Sequence, residues 1–511
     1  MSPTRHKTPC VDPGILNLTS NLKIHFNYAL YLSYQGHSYT LVLMVTSAAI
    51  GGTLQYGYNL AIMNAPTIFI QNFVNETFQE RWGIQLGVYE VTLIWTFIVS
   101  IFSLGGLTGA LIAGPMSVRL GRKKTLLLNN VFLLSSSLLA LLSRTAKSFE
   151  MIIISRFLVG INAGIVFICI SPIITEILIM FLPFSVQGSL LGSEPYWQYL
   201  LASNAIPGFI QLLTLPWFPE SPRYLLFDCK DKEACLSALK RLRGCEVRRE
   251  ELDELLQEQN EIKSDRAKQP WDLLTDRSVR WQLISVAVLS SAMQLCGNDS
   301  IYFYASYVFQ EAGISAGQIQ YVTIGTGMCE FTACILCNLL IERLGRKLML
   351  MGGYVLMTGW AVVFTVALSL ENIVTWMPYL SMTCIFTYIL SFGMGPAGVS
   401  VILPTEIFNQ TARPAACMTA GFLMWLNLFI IGMIFPFLVS GLGQYCFVPF
   451  GTVCLVTATY IHMVLPETKG KTLPMITKEF YKLNYRGHRK MDLEASKAQY
   501  KLGEILHSTA L

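Results

Sequence analysis

The chain has 511 residues, 53% of them hydrophobic and 14% charged, with a mean hydropathy of +0.49 and a formal net charge of +5. A soluble globular domain carries about 25% charged residues and shorter apolar runs, so the composition excludes that class. Apolar stretches of roughly 20 residues recur from residue 39 to residue 465, each long enough to cross a bilayer as a helix, and a helical bundle satisfies its own backbone in lipid.

Taken in chain order, spans are expected at 40–63, 91–113, 125–143, 150–171, 197–217, 281–307, 318–341, 348–370, 377–404, 415–440 and 445–465. A further, weaker segment falls between the fourth and fifth of these. The first run is too long for the apolar core of a signal peptide, and no small-residue cleavage site follows it, so it is expected to stay as a span.

Lysine and arginine set the orientation. The runs RLGRKK (Arg119 to Lys124) and ERLGRK (Glu342 to Lys347) load two short loops with positive charge and are expected to be cytoplasmic. The segment 64–90 has Arg81 against Glu76, Glu80 and Glu90 and is expected to be an external loop. It holds the glycosylation sequon Asn75-Glu76-Thr77 on the side where a glycan can be added. Sequons also begin at Asn17, Asn298 and Asn409, but on the cytosolic side or within a span.

The stretch 219–280 is rich in Glu, Lys and Arg and reads as short amphipathic helices joining two membrane halves. The implied layout is a cytoplasmic N-terminus (1–38), a first membrane half (39–217), a linker (218–280), a second half (281–465) and a cytoplasmic tail (466–511).

The halves resemble each other. Gly121-Arg122-Lys123 recurs as Gly345-Arg346-Lys347, and Pro219-Glu220-Ser221 as Pro466-Glu467-Thr468. Such duplication marks transporter folds, with the substrate site near the midplane between the halves. The second pair of markers lies further apart than the first, by close to one membrane helix, and most of the deficit follows Glu176.

Several motifs occur in order: QYGYN (Gln55 to Asn59), NAP (Asn64 to Pro66), LGRKK, SRFLVG with Arg156, FPESPRYLL (Phe218 to Leu226), QLCGNDS, ERLGRK, MGPAG (Met394 to Gly398), TEIF (Thr405 to Phe408), ARPAA and LPETKG. In these the chain resembles the sugar porters of the major facilitator superfamily, specifically the facilitative hexose transporters of solute carrier family 2, from about Gly51 to Gly470. CGNDS and FGMGPAGV are most similar to the class II glucose and fructose carriers. The resemblance implies an all-α membrane protein of two six-helix halves. It also implies that the fifth span is shortened or missing here, because TEILIMFLPFSVQGSLLGSEPYW runs almost directly into the next span and Gln187 replaces the family's loop arginine. Residues 177–192 are the only substitute, and sixteen helical residues cover about 24 Å of a roughly 30 Å core.

A hexose is neutral and both donates and accepts hydrogen bonds, so holding it in a membrane needs amides, hydroxyls and aromatic faces. These are costly there unless hydrated or paired. Gln294, Asn298 and Asp299 sit together in one span, and the family pattern makes Gln294 a sugar-binding glutamine, with Asp299 at the place of a sugar-binding asparagine. Interhelical hydrogen bonding is the plainer role for Gln294. Glu330 in the next span serves either the substrate or a neighbouring helix. Gln55, Tyr58, Trp425 and Asn427 are further candidates to line the cavity, and Tyr302 and Tyr304 read as gating or packing aromatics. Glycines and prolines in GMGPAGVSVILP are expected to break the tenth span of the family pattern, and Val401 stands where many glucose-selective relatives have tryptophan.

By the same resemblance, Arg122, Glu176 and Glu220 in the first half, with Arg346, Glu406, Arg413 and Glu467 in the second, form the ion-pair clusters that hold the inner face closed. Arg156 is expected to pair with one of these acids. The 13 cysteines lie mostly in apolar segments, and Cys229, Cys235 and Cys245 lack metal-ligand spacing, so packed or free thiols are expected. The glycines within spans are explained by close helix packing. No cofactor, metal, nucleophile motif or nucleic-acid partner is called for; the expected partners are a hexose and the lipid bilayer of the plasma membrane. Asn59 stands where proton symporters of this fold carry an aspartate, which implies uncoupled transport by alternating access. Asp299 and Glu330 keep a proton-coupled carrier open, and the short fifth span keeps a non-transporting regulatory form open.

Overall fold

The computed structural model describes residues 39–169, 193–243, 256, 269–370, 373–374, 376–409 and 411–484. Every element among them is helical. Glu176 and the stretch 177–192 lie outside the described residues, and so does the question of a shortened fifth span.

All eleven expected spans are helical. The first is split into α1 (Tyr39–Gly51) and α2 (Thr53–Ala61) around Gly52. The expected external loop is mostly a helix, α3 (Thr67–Trp82), closed by left-handed Gly83, because TIFIQNFVNETFQERW has no breaker before that glycine. Then follow α4 (Val88–Leu120), α5 (Arg122–Leu142) and α6 (Glu150–Cys169). The next span is α7 (Trp197–Ala202) with α8 (Ala205–Thr214). The linker gives α9 (Pro222–Phe227), α10 (Lys232–Arg243) and α11 (Pro270–Thr275).

The second half opens with α12 (Arg280–Leu295), α13 (Asn298–Phe303) and α14 (Ala305–Glu311). It continues with α15 (Ala316–Leu344), α16 (Arg346–Ser369) and α17 (Met377–Phe392), the last passing through a π-helical turn, Gly393–Ala397, into α18 (Gly398–Ile407). The interruption expected in GMGPAGVSVILP is thus a local change of helix pitch around Pro396. The final elements are α19 (Arg413–Leu442), α20 (Val448–Val464) and α21 (Leu473–Asn484). By length and apolarity, eight described helical stretches suffice to cross a membrane.

Lipid-type packing is written on the helix faces. Large apolar side chains such as Leu138, Val362 and Val456 point outward and are more than half exposed. Where α4 crosses α6, the contact is made of glycine. A Cβ on Gly105, Gly109, Gly160 or Gly164 would lie 2.1–2.2 Å from a carbonyl oxygen of the facing helix. Small residues permit this approach, which replaces the hydrophobic driving force that lipid cannot supply. Buried polar seams tie the same half: Asn130 Nδ2 donates to Gln211 Oε1 at 2.8 Å, and Ser136 Oγ meets Ser155 Oγ at 2.9 Å.

The two halves meet along α4 and α19. Trp425 on α19 is fully buried among Tyr56, Phe102 and Phe167 of the first half, and a Cβ on Gly106 would stand 2.3 Å from its ring. At the end away from the basic loops, Asn64 Nδ2 donates to the Tyr302 carbonyl at 2.5 Å, and Tyr89 packs on Phe437.

Candidate functional site

The span holding QLCGNDS is broken at Gly297. Its φ of +81° is left-handed, and the ring of Phe450 lies 2.9 Å from where a Cβ would be, so both conformation and space require glycine. The break ends α12 just after Gln294 and starts α13 on Asn298 and Asp299, which brings the three side chains together. Gln294 and Asn298 are wholly buried and Asp299 is 7% exposed. The two amides flank the Asp299 carboxylate. Each amide turns its N–H side to Asp299 at a geometry looser than an ordinary hydrogen bond, and neither amide oxygen has a donor. A buried polar atom without a partner costs about 1–3 kcal/mol, so two amide oxygens in one place without donors describe a site suited to a polar guest.

Around this group stand further polar side chains. Tyr302 Oη donates to Glu330 Oε2 at 2.5 Å, which joins α13 to α15. The Tyr302 ring lies near Asp299 as well. Tyr56 on α2 lies within electrostatic reach of both Asp299 and Glu330, and its ring meets Trp425 edge-on at 5.8 Å. Trp425 offers an indole nitrogen without a partner. The site therefore has amides, two carboxylates, two phenols and an indole, drawn from both halves. Tyr304 turns its hydroxyl away to the Gly432 carbonyl at 2.7 Å. Val401 is half-buried on α18.

The sequence missed Tyr56 and chose its neighbours. Gln55 and Tyr58 face the first half's own interior: Gln55 Nε2 donates to the Asn204 carbonyl at 2.7 Å and the Tyr58 hydroxyl bonds to Ser203 Oγ. Asn59 exchanges a reciprocal pair of amide bonds with Asn204, at 3.0 and 3.1 Å. Asn427 bonds Ser291 Oγ on α12 at 3.1 Å, within the second half.

The charged clusters divide in two. In the second half Arg346 Nε and Nη2 each lie 2.9 Å from a carboxylate, of Glu406 and Glu342, and Thr468 Oγ1 donates to the other Glu406 oxygen at 2.6 Å. Arg413 donates to the Phe408 carbonyl at 3.4 Å. Glu467 takes the Arg346 and Lys347 backbone N–H groups at 2.9 and 3.1 Å, and Glu220 takes that of Lys123 at 2.9 Å. These two glutamates satisfy helix starts. Arg122 is exposed beside Asp228, whose pKa partial burial raises while the guanidinium works against the rise. Each ion pair given above lies within one half.

Glu176 lies outside the described residues, and Arg156 meets none of the described acids expected to pair with it. It sits near the start of α6, at the end away from the basic loops, where no described acid pairs with it. It donates to the carbonyls of Asn59 at 3.0 Å and Val99 at 3.5 Å, with its guanidinium 4.9 Å from the Phe102 ring. The sequon also has an unexpected setting. Asn75 lies within α3, its Oδ1 accepts the Leu86 N–H at 3.1 Å, and Thr77 of the sequon is buried, so the sequon sits in a folded helix and not in an open loop.

Solved structures share this architecture. A proton:xylose symporter of the major facilitator superfamily, bound to 6-bromo-6-deoxy-D-glucose, matches with a TM-score of 0.69 at 20% identity, over 86% of this chain and 98% of that one. The inward-open xylose transporter from E. coli gives 0.68 over 86% and 99%, also at 20% identity. The chain shares the fold of these solved transporters. The family model described as sugar (and other) transporter matches residues 44–178 and 181–480. The human solute carrier family 2 facilitated glucose transporter member 11 is 50% identical over 87% of this chain and 94% of its own length. Member 5 from Bos taurus is 41% identical over 87% and 92%. The chain belongs to the sugar transporters of solute carrier family 2.

Proposed function

We propose that this chain carries hexoses, glucose and fructose among them, down their gradient across the plasma membrane by alternating access. The observation that supports this most is the pair of amide oxygens on Gln294 and Asn298 that no donor reaches, at a glycine-enforced helix break across from Tyr56 of the first half. A sugar hydroxyl both donates and accepts, so one hexose can donate to both amide oxygens while accepting from other groups around it. The printed functions of members 11 and 5 as facilitated glucose transporters agree with this substrate class. Asn59 supports the uncoupled mode. Its amide is committed to Asn204 and does not titrate.

The test is uptake of labelled glucose and fructose into proteoliposomes, with and without an imposed proton gradient. Uncoupled transport equilibrates the sugar and ignores the gradient, and Gln294→Leu lowers it at least tenfold. Accumulation above the outside concentration, driven by protons, defeats the uniporter and moves the role to Asp299 and Glu330. Uptake indifferent to Gln294→Leu removes the site.

A second reading, a non-transporting form, rests on one feature. The family match parts between residues 178 and 181, beside the place where the first half is short. An odd number of crossings puts the C-terminus outside. Antibody access to a C-terminal epitope on intact cells favours this reading, and access only after permeabilisation favours the carrier.

A further inference from the structure

We propose that a cavity at the outer end of the second half, apart from the central site and independent of the hexose reading, binds a quaternary ammonium group. The cavity holds about 140 Å³, close to the roughly 150 Å³ of an apolar cavity that takes up benzene. Three helices end around it, at the end away from the basic loops. α14 contributes Val308 and Glu311, α16 contributes Phe364 and Leu368, and α19 contributes Val439.

The helix ends set the sign of the charge. The C-terminus of a long helix carries about half a negative elementary charge, which a basic residue in the last turn offsets. Neither α16 nor α19 has a basic residue in its last turn, and α14 adds the Glu311 carboxylate. The chain brings no cation of its own to this end. Residues 281–342, 348–412 and 414–461 contain no Lys, Arg or His, so every loop on this side of the second half lacks one. Among the described residues, Glu311 has no ion-pair partner.

The walls choose the kind of cation. A bare metal ion of the calcium type needs six to eight oxygens, and a primary ammonium needs an acceptor for each of its three donors. The polar side chains of the lining are those of Glu311 and Gln444, with the Cys446 thiol, and the other side chains offer only carbon. Phe364 and Phe447 line the cavity with rings set edge to face, their centroids 4.6 Å apart. A trimethylammonium group asks for no hydrogen bond. Its methyl groups pack on such walls and on aromatic rings while its charge faces Glu311 and the helix ends. The head of an outer-leaflet choline lipid and a soluble choline-type cation share this chemistry.

The experiment uses the full chain, purified in a maltoside detergent. Cys446 lines the cavity and is 4% exposed, so its alkylation by N-ethylmaleimide, followed by peptide mass spectrometry, reports on occupancy. Choline and tetramethylammonium are compared with 3,3-dimethyl-1-butanol, the uncharged isostere of choline, and melting temperatures are recorded alongside. The two cations are expected to protect Cys446 at concentrations at least tenfold below the alcohol and to raise the melting temperature. Glu311→Gln, at an exposed position, raises the choline concentration needed at least tenfold. Equal protection by the alcohol, protection unchanged in Glu311→Gln, or neither protection nor a melting shift overturns the proposal. Where alkylation is slow throughout, the melting shift and its loss in Glu311→Gln decide alone. Discs of phosphatidylcholine and of phosphatidylglycerol separate the two sources. Alkylation slowed by phosphatidylcholine alone makes the guest a lipid head, and alkylation equal in both discs and slowed by added choline makes it a soluble cation.

Discussion

Glu220 and Glu467, far apart in the chain, do the same job. Each reaches back to the start of a helix that follows a glycine of left-handed φ, Gly121 at +87° and Gly345 at +92°, and accepts the first free backbone N–H groups there. Even the adjoining lysines agree: Lys123 Nζ donates to the carbonyls of Pro216 and Phe218, and Lys347 Nζ to that of His462. The duplicated motifs are thus a duplicated clamp, tying the basic loop of each half to the segment that leaves it.

Glu220→Ala and Glu467→Ala are each expected to cost about 1–2 kcal/mol, the range for a lost helix N-terminal acceptor. Glutamine keeps an acceptor oxygen and is expected to cost about half as much. Melting of the detergent-purified variants measures this, and equal stability for the alanine and native forms contradicts the clamp.

Tyr302 and Glu330 are expected to be coupled. A hydrogen bond to a charged group contributes about 1.5–3 kcal/mol, so Tyr302→Phe and Glu330→Gln each destabilise, and the double variant is less unstable than the sum by about that amount. A double-mutant cycle on the melting free energies reads it, and strict additivity denies the contact.

The glycine crossing separates two kinds of obstacle. Gly160→Ala drives a methyl into the Phe102 carbonyl, which cannot move without the helix, so the folded yield collapses whatever else is changed. At Gly106 the obstacle is the Trp425 ring. Gly106→Ala is therefore rescued by Trp425→Leu, as measured by monodisperse protein recovered, while Gly160→Ala is not.

Arg156→Lys is expected to behave as a loss, although charge is kept. A lysine ammonium cannot span the Asn59 and Val99 carbonyls and also lie flat over Phe102, as a planar guanidinium does. The variant is expected to melt earlier by about 1–2 kcal/mol. A melting curve identical to the native one rules out the planar role.

Much of this was legible as text. Long apolar runs delimit the spans because nothing else keeps 20 residues in lipid. The repeat of Gly-Arg-Lys marks the halves, though not what Glu220 and Glu467 do for them. The site was legible in Gln294, Asn298 and Asp299, whose polarity is out of place in a span. Tyr56 was not, since Tyr58 and Tyr56 look alike in sequence and a two-residue step turns a helix by about 200°, onto the other face. The setting of Arg156 could have been read by parity. The loop before α5 lies at the basic end, so the start of α6, one span later, lies at the other, away from Glu220, Glu406 and Glu467.

One residue of α13 touches two compartments. The Tyr302 hydroxyl is on Glu330 of the second half, while its carbonyl takes the Asn64 amide of the first half. Tyr302 is thus a single residue whose side chain serves the second half and whose backbone serves the junction with the first.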